Sequence, residues 1–171
     1  MNIAKQLAKQ AKRKGICKEW LSELRQLEDK GAMLEMYLKG IDFCLKHDYP
    51  SNEYIRANFK GEMEVFGVFL DDSIDLVNVL KCVALGQTKG LVEINEFGTS
   101  EIFVKHNSEL KIVAKGDAFV MVDVFDNAVI RVYAQDRAKI CVNRYGNSRI
   151  ENMSTSSSAI VKIIEKHKNT Y

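Results

Sequence analysis

From Ser108 onward a small residue returns every ten positions, as Ser108, Ala118, Ala128, Ala138, Ser148 and Ser158. Two residues after each comes a branched aliphatic, in the series Leu110, Val120, Ile130, Ile140, Ile150 and Ile160. A chain that copies so short a unit is confined to repeat architectures, because each copy buries its apolar side against its neighbours. Val92 and Ile94, Ile102 and Val104, Leu110 and Ile112, Val120 and Val122, Ile130 and Val132, and Ile140 and Val142 all form V-x-V type pairs, which marks strands. One spacing, from Ile102 to Leu110, is eight residues instead of ten. Both lengths are even, so the same face stays buried. Turn residues separate the strands at Lys115-Gly116-Asp117, Phe125-Asp126-Asn127, Gln135-Asp136-Arg137 and Tyr145-Gly146-Asn147. Ser154 to Ser158 lacks a strand pattern, and Ile160 to Ile164 reads as a last strand.

Seven extended residues span roughly 23 Å, so one unit supplies one side of a flattened coil and two units complete it. Alternate units then share a wall. One wall carries Lys111, Arg131 and Glu151 outward, with Lys115, Gln135 and Thr155 nearer the corner. The other carries Met121, Cys141 and Val161, with Phe119, Phe125 and Tyr145 at its edges, and strands with two apolar faces are covered on both. An antiparallel β-meander or sandwich is the alternative, since it also has short strands at this spacing. The column of Ala and Ser favours stacked coils, because hairpins impose no such column.

Ahead of the repeat the apolar period is helical. Ile3, Leu7 and Ala11 lie on one face of a basic segment that stops at Gly15; Trp20, Leu21, Leu24 and Leu27 follow. A third stripe runs from Met33 to Leu45, and Ser51 is placed to cap a fourth helix with Tyr54, Ile55 and Phe59. The pattern turns to β at Val65-Phe66-Gly67-Val68-Phe69-Leu70. The expected fold is α+β: an N-terminal helical region (1–60) capping a C-terminal β-solenoid (61–171), with about two ten-residue repeats per coil.

The 171 residues carry a net charge of +2, too little to argue for an acidic partner. No apolar stretch approaches the roughly 20 residues of a membrane helix, and the N-terminus lacks an apolar signal core. A cytoplasmic protein is expected, with a place in a virion as the other setting. Cys17, Cys44, Cys82 and Cys141 are too scattered for a zinc or redox motif and suit small core positions.

No signature of catalysis is present, so no enzyme and no cofactor are expected. Asp126 and Asp136 share a turn position, but the equivalent corners carry Gly116 and Gly146, so they read as turn formers rather than calcium or other metal ligands. Phe119, Met121, Asp123, Phe125 and Tyr145 are the candidates for an oligomer or partner interface, with Asp123 needing a polar partner if buried. Arg131, Arg137, Arg144 and Tyr145 are the alternative, a site for a small anionic ligand or nucleotide, such as a host defence signal. The basic first helix has no base-reading element beside it, so nucleic acid ranks third.

Four segments carry a resemblance: Gly15-Ile16-Cys17-Lys18-Glu19-Trp20, YLKGIDFCLKHDYPSN at 37–52, VMVDVFD at 120–126 and DRAKICVNRYG at 136–146. Together they resemble a family carried in prophages and mobile elements of anaerobic gut bacteria. More distantly, the A-x-V-x-V-x-x-x-D-N unit looks like decapeptide arrays of phage-encoded proteins. The resemblance implies a mobile-element context and transfers no catalytic residues. The expected function is a non-enzymatic phage or mobile-element protein, acting as an oligomeric interaction or structural module through its β-repeat surface. Its partners would be further copies of itself, or a phage or host protein.

Overall fold

A computed structural model of the chain describes residues 2–171. They form two compact units, the first running to Phe66 and including Tyr171, the second Gly67–Thr170.

The first unit contains α1 (Ile3–Arg13), α2 (Lys18–Gln26), α3 (Lys30–Lys39), α4 (Ile41–His47), α5 (Asn52–Asn58) and a single 3-10 turn at Glu64–Phe66. Asn2, Asp29 and Ser51 start α1, α3 and α5, each side chain accepting a hydrogen bond from a first-turn amide that the helix leaves free. α1 buries Ala4, Leu7, Ala8 and Ala11 and keeps Lys5, Lys9, Lys12 and Arg13 outside. The Tyr49 hydroxyl ties the unit together by donating to the Leu7 carbonyl at 3.0 Å. The stripe from Met33 to Leu45 is two helices rather than one, broken at Gly40. A Cβ there would stand 2.8 Å from Cζ3 of Trp20, so the indole lies against a junction that only glycine leaves open.

The second unit is built from β1 (Val68–Leu70), β2 (Ser73–Val77), β3 (Lys81–Leu85), β4 (Lys89–Ile94), β5 (Thr99–Val104), β6 (Glu109–Ala114), β7 (Phe119–Val124), β8 (Val129–Ala134), β9 (Lys139–Arg144), β10 (Arg149–Asn152) and β11 (Ile160–Glu165). Expected strand residues Val65 and Phe66 belong instead to the 3-10 turn. The odd strands form one sheet, β1-β3-β5-β7-β9-β11, and the even strands another, β10-β8-β6-β4-β2. Every ladder is parallel. Consecutive strands lie in opposite sheets, so the chain winds as a parallel β-solenoid of about five turns, and the meander is ruled out.

Register gives the coil length. Lys89 sits beside Glu109, Thr99 beside Phe119, Glu109 beside Val129 and Phe119 beside Lys139, each a step of 20 residues. The first coils are shorter, with Val68 beside Val83 and Ser73 beside Lys89, and the last is longer by one, with Ile160 beside Lys139.

Inward positions recur without interruption: Gly90, Val92 and Ile94; Ser100, Ile102 and Val104; Leu110, Ile112 and Ala114; Val120, Val122 and Val124; Ile130, Val132 and Ala134. The eight-residue unit therefore does not exist. Ser100 fills the slot that Val120 fills one coil later, and its polarity hides the phase of β5. The two sheets meet through these columns, so each parallel ladder has its inner face sealed by the opposite wall.

From Leu85 to Ser148 each corner closes with an amide donating to the carbonyl three residues back, as from Ser108 to Lys105 and from Ala128 to Phe125. The second corner residue has positive φ at Gly86, Glu96, His106, Gly116, Asp126, Asp136 and Gly146, ten apart throughout. The small residues that drew the eye in the sequence come two positions later, and Ser108, Ala118, Ala128, Ala138 and Ser148 are all buried against the coil above and below. Cys44 and Cys82 are buried, and burial pushes the Cys82 thiol up to about 12. Cys17 is exposed and Cys141 half-buried.

Ser100 makes a prediction. Its Oγ is buried with no hydrogen-bond partner, which costs about 1–3 kcal/mol for a lone polar group. Ser100→Val is expected to raise stability in urea by about 1–2 kcal/mol, by removing that orphan and adding apolar burial. A lower denaturation midpoint would show that the slot has no room for the larger side chain.

Candidate functional site

The proposed interface residues separate into two places. On the outer face of the odd sheet, Phe119 lies between Thr99 and Lys139, and Met121 between Glu101 and Cys141. Both are open, at 42% and 41% exposure. Phe97, two residues ahead of Thr99, is 82% exposed. Asp123 continues this face, and its Oδ1 accepts from Asn143 Nδ2 at 2.7 Å. A neutral amide one coil on is thus among its partners. Val161 is not part of this wall. The extra residue in the last coil puts it beside Ile140 on the inside and brings Lys162 out beside Cys141.

Phe125 and Tyr145 sit at a corner instead. They open two successive turns on the same edge, are 0% and 4% exposed, and stack with ring centroids 4.6 Å apart and an interplanar angle of 18°. Lys105, one coil earlier, places its ammonium 5.5 Å from the Phe125 centroid and 3.3 Å from Asp126 Oδ2. Burial, with the Asp123 charge second, pushes the Tyr145 phenol above its ordinary pKa. This column holds coils together and offers no surface to a partner.

The two aspartates lie on opposite edges, where their side chains satisfy backbone amides of the preceding coil. Asp126 Oδ2 accepts from the His106 amide at 3.2 Å and Asp136 Oδ2 from the Gly116 amide at 2.9 Å. His106 Nδ1 repeats the pattern by accepting from the Gly86 amide at 3.0 Å. Among the described residues no three His, Cys, Asp or Glu side chains gather as metal ligands would. On the same edge as His106 and Asp126, Asn107, Asn127 and Asn147 repeat 20 residues apart along an open groove, each at the third position of its turn.

The arginines do not converge. Arg131 projects from the even sheet and bonds Glu151 at 2.9 Å; Arg137 holds Asp117 through two bonds of 2.7 and 2.8 Å. Those bonds keep the Asp117 carboxyl below its usual range. Arg144, in register with Val124, bonds the Ser148 carbonyl at 2.6 Å and Glu165 at 3.0 Å. Tyr145 is buried at the corner, away from the Arg131 wall and the Arg137 edge.

Sequence reasoning missed the ladder of opposite charges that these pairs belong to. Lys81 with Glu101, Lys89 with Glu109, Asp117 with Arg137 and Arg131 with Glu151 are all 20 residues apart and all paired between stacked coils. Charge complementarity at that separation was a readable sign of coil length. Each exposed pair contributes at most about 1 kcal/mol, so the ladder fixes register more than it stabilises.

No protein-family model, no curated protein and no solved structure matches this chain. The fold defines a β-solenoid with an N-terminal helical unit.

Proposed function

We propose that the chain is a non-enzymatic interaction module that assembles with further copies of itself through the outer face of the odd sheet, in the service of a phage or mobile element. One observation carries the reading. Phe119 and Met121 present two exposed apolar side chains on the same outer face of one strand, and exposed apolar side chains grouped in this way mark interaction sites. The mobile-element setting rests on the resemblance of the four segments.

Replacing Phe119 by Ser and Met121 by Glu together tests it, because both side chains point away from the core and the fold does not depend on them. Light scattering coupled to size exclusion is expected to show that the double variant has lost subunits while its melting temperature stays within a degree or two. An unchanged particle mass would make this wall ordinary surface and end the reading.

A further inference from the structure

The solenoid interior is open at its last coil. β10 and β11 are the terminal strands of their sheets, each paired on one edge only, with β8 and β9. Ile163 occupies the same inward slot as Val142 one coil earlier, yet Val142 is 0% exposed and Ile163 is 42% exposed. Val161 and Ile150, also inward, are only half-buried. After β11 the chain enters a corner. It returns along the corner beside β9, where the Gly146 amide donates to the Lys168 carbonyl at 3.0 Å. The last strand of each sheet thus leaves its outer backbone groups uncovered, with an apolar layer between the two, the arrangement that repeat proteins close with a cap or a partner.

We propose that a second copy of this chain closes it, tail to tail, with β11 of each protomer pairing antiparallel with β10 of the other. The geometry selects the occupant. The two walls of a coil run in opposite directions, so either two-fold axis that aligns the strands brings antiparallel edges together. The side chains then decide between the two axes.

Pairing β11 with its own copy is poor in the three registers centred on the strand, where the overlap is greatest. Centred on Lys162 it opposes two ammonium groups, centred on Ile163 it sets Val161 against Glu165, and centred on Ile164 it sets Lys162 against Lys166. Pairing β11 with the partner's β10 allows one register without such conflict. Ile150 then faces Ile163, Asn152 faces Val161, and Glu151 faces Lys162 on the outside. Shifting by two residues in either direction opposes Arg149 to Lys162, or Arg149 to Lys166 and Ile150 to Glu165. The Lys162 ammonium makes no hydrogen bond or ion pair among the described residues, and Glu151 is held ready by Arg131 at 2.9 Å. Cross-strand opposite charges favour one alignment and like charges penalise the others.

This interface is independent of the Phe119 and Met121 wall, and the test keeps them apart. In the Phe119→Ser, Met121→Glu background, sedimentation velocity is run on the parent, Glu151→Lys, Lys162→Glu and the charge-exchanged double variant. The parent is expected to be a dimer, each single variant a monomer with an unchanged circular dichroism spectrum, and the exchanged pair a dimer again. Glu151→Lys loses the Arg131 contact in the single and the exchanged variants alike, so recovery reports the contact between protomers. A monomeric parent, single variants that stay dimeric, an exchanged pair that stays monomeric, or open-ended fibres built by head-to-tail stacking would each overturn the proposal.

Discussion

Gly90→Ala is expected to destabilise the solenoid by roughly 4 kcal/mol or more, in the range reserved for direct conflict with the fold. Gly90 has φ +147, where L residues are strained, and a Cβ added there would lie 1.9 Å from the Ile74 carbonyl oxygen and 2.8 Å from its carbon. These are backbone atoms of the strand it pairs with, Gly90 being in register with Ile74 across β2 and β4. They cannot swing aside as a side-chain tip would. Relief requires the ladder to part, which exposes the first coils. Gly146→Asn is the matched control: φ is +59, the nearest atom lies at 3.5 Å, and Asp126 and Asp136 already hold the equivalent slot with a side chain. Equilibrium unfolding in urea should leave Gly146→Asn near wild type and collapse the transition of Gly90→Ala. Equal midpoints would mean that β2 does not lie where the register places it.

The second large effect belongs to Phe125→Ala, at about 3–5 kcal/mol for an aromatic removed from a core. The ring is fully buried between coils, stacks on Tyr145 and lies under the Lys105 ammonium. Truncation deletes the stack, worth about 0.5–1.5 kcal/mol beyond its area, and leaves the poorly exposed Lys105 beside a void. Thermal melting read by near-ultraviolet circular dichroism checks it. A small shift would return Phe125 to the surface role that its place in the sequence suggested.

That mistake shows where sequence reasoning stops. Strand alternation reports which side of a wall a residue faces, and it placed Leu110, Val120, Ile130 and Ile140 inward as the structure does. A corner has no such rule. Phe125 and Tyr145 follow the strand pattern to its end and then turn inward, because the positive φ at Asp126 and Gly146 reverses the chain at the next residue. The coil itself was legible, since two units per turn follow from the small-residue column and from strand length. Its phase at β5 was not, because a serine stands where the pattern needs an aliphatic.

A single inserted residue had the same power at the other end. With Ile160 beside Lys139 instead of one residue on, Val161 passes from the outer wall to the inside and Lys162 takes its place. The period alone carries no sign of this shift, because the serine-rich stretch before β11 absorbs it without a turn motif. In the helical unit, Gly40 sits within an unbroken apolar stripe, and only the approach of Trp20 reveals why the helix stops there. The arginine grouping failed for a related reason: neighbours in sequence such as Arg131, Arg137 and Arg144 fall on a wall, an edge and the end of a strand. In a solenoid, neighbours in space are 20 residues apart.

Backbone nuclear Overhauser effects in solution test that statement most directly. Across parallel strands, residues in register lie within about 5 Å, the spacing of hydrogen-bonded strands. Met121 should show contacts to the backbone of Glu101 and Cys141 and none to that of Arg131 or Lys111, which the fold puts in the opposite sheet. Contacts between Met121 and the strand Val129–Ala134, ten residues along, would contradict the solenoid and everything built on it.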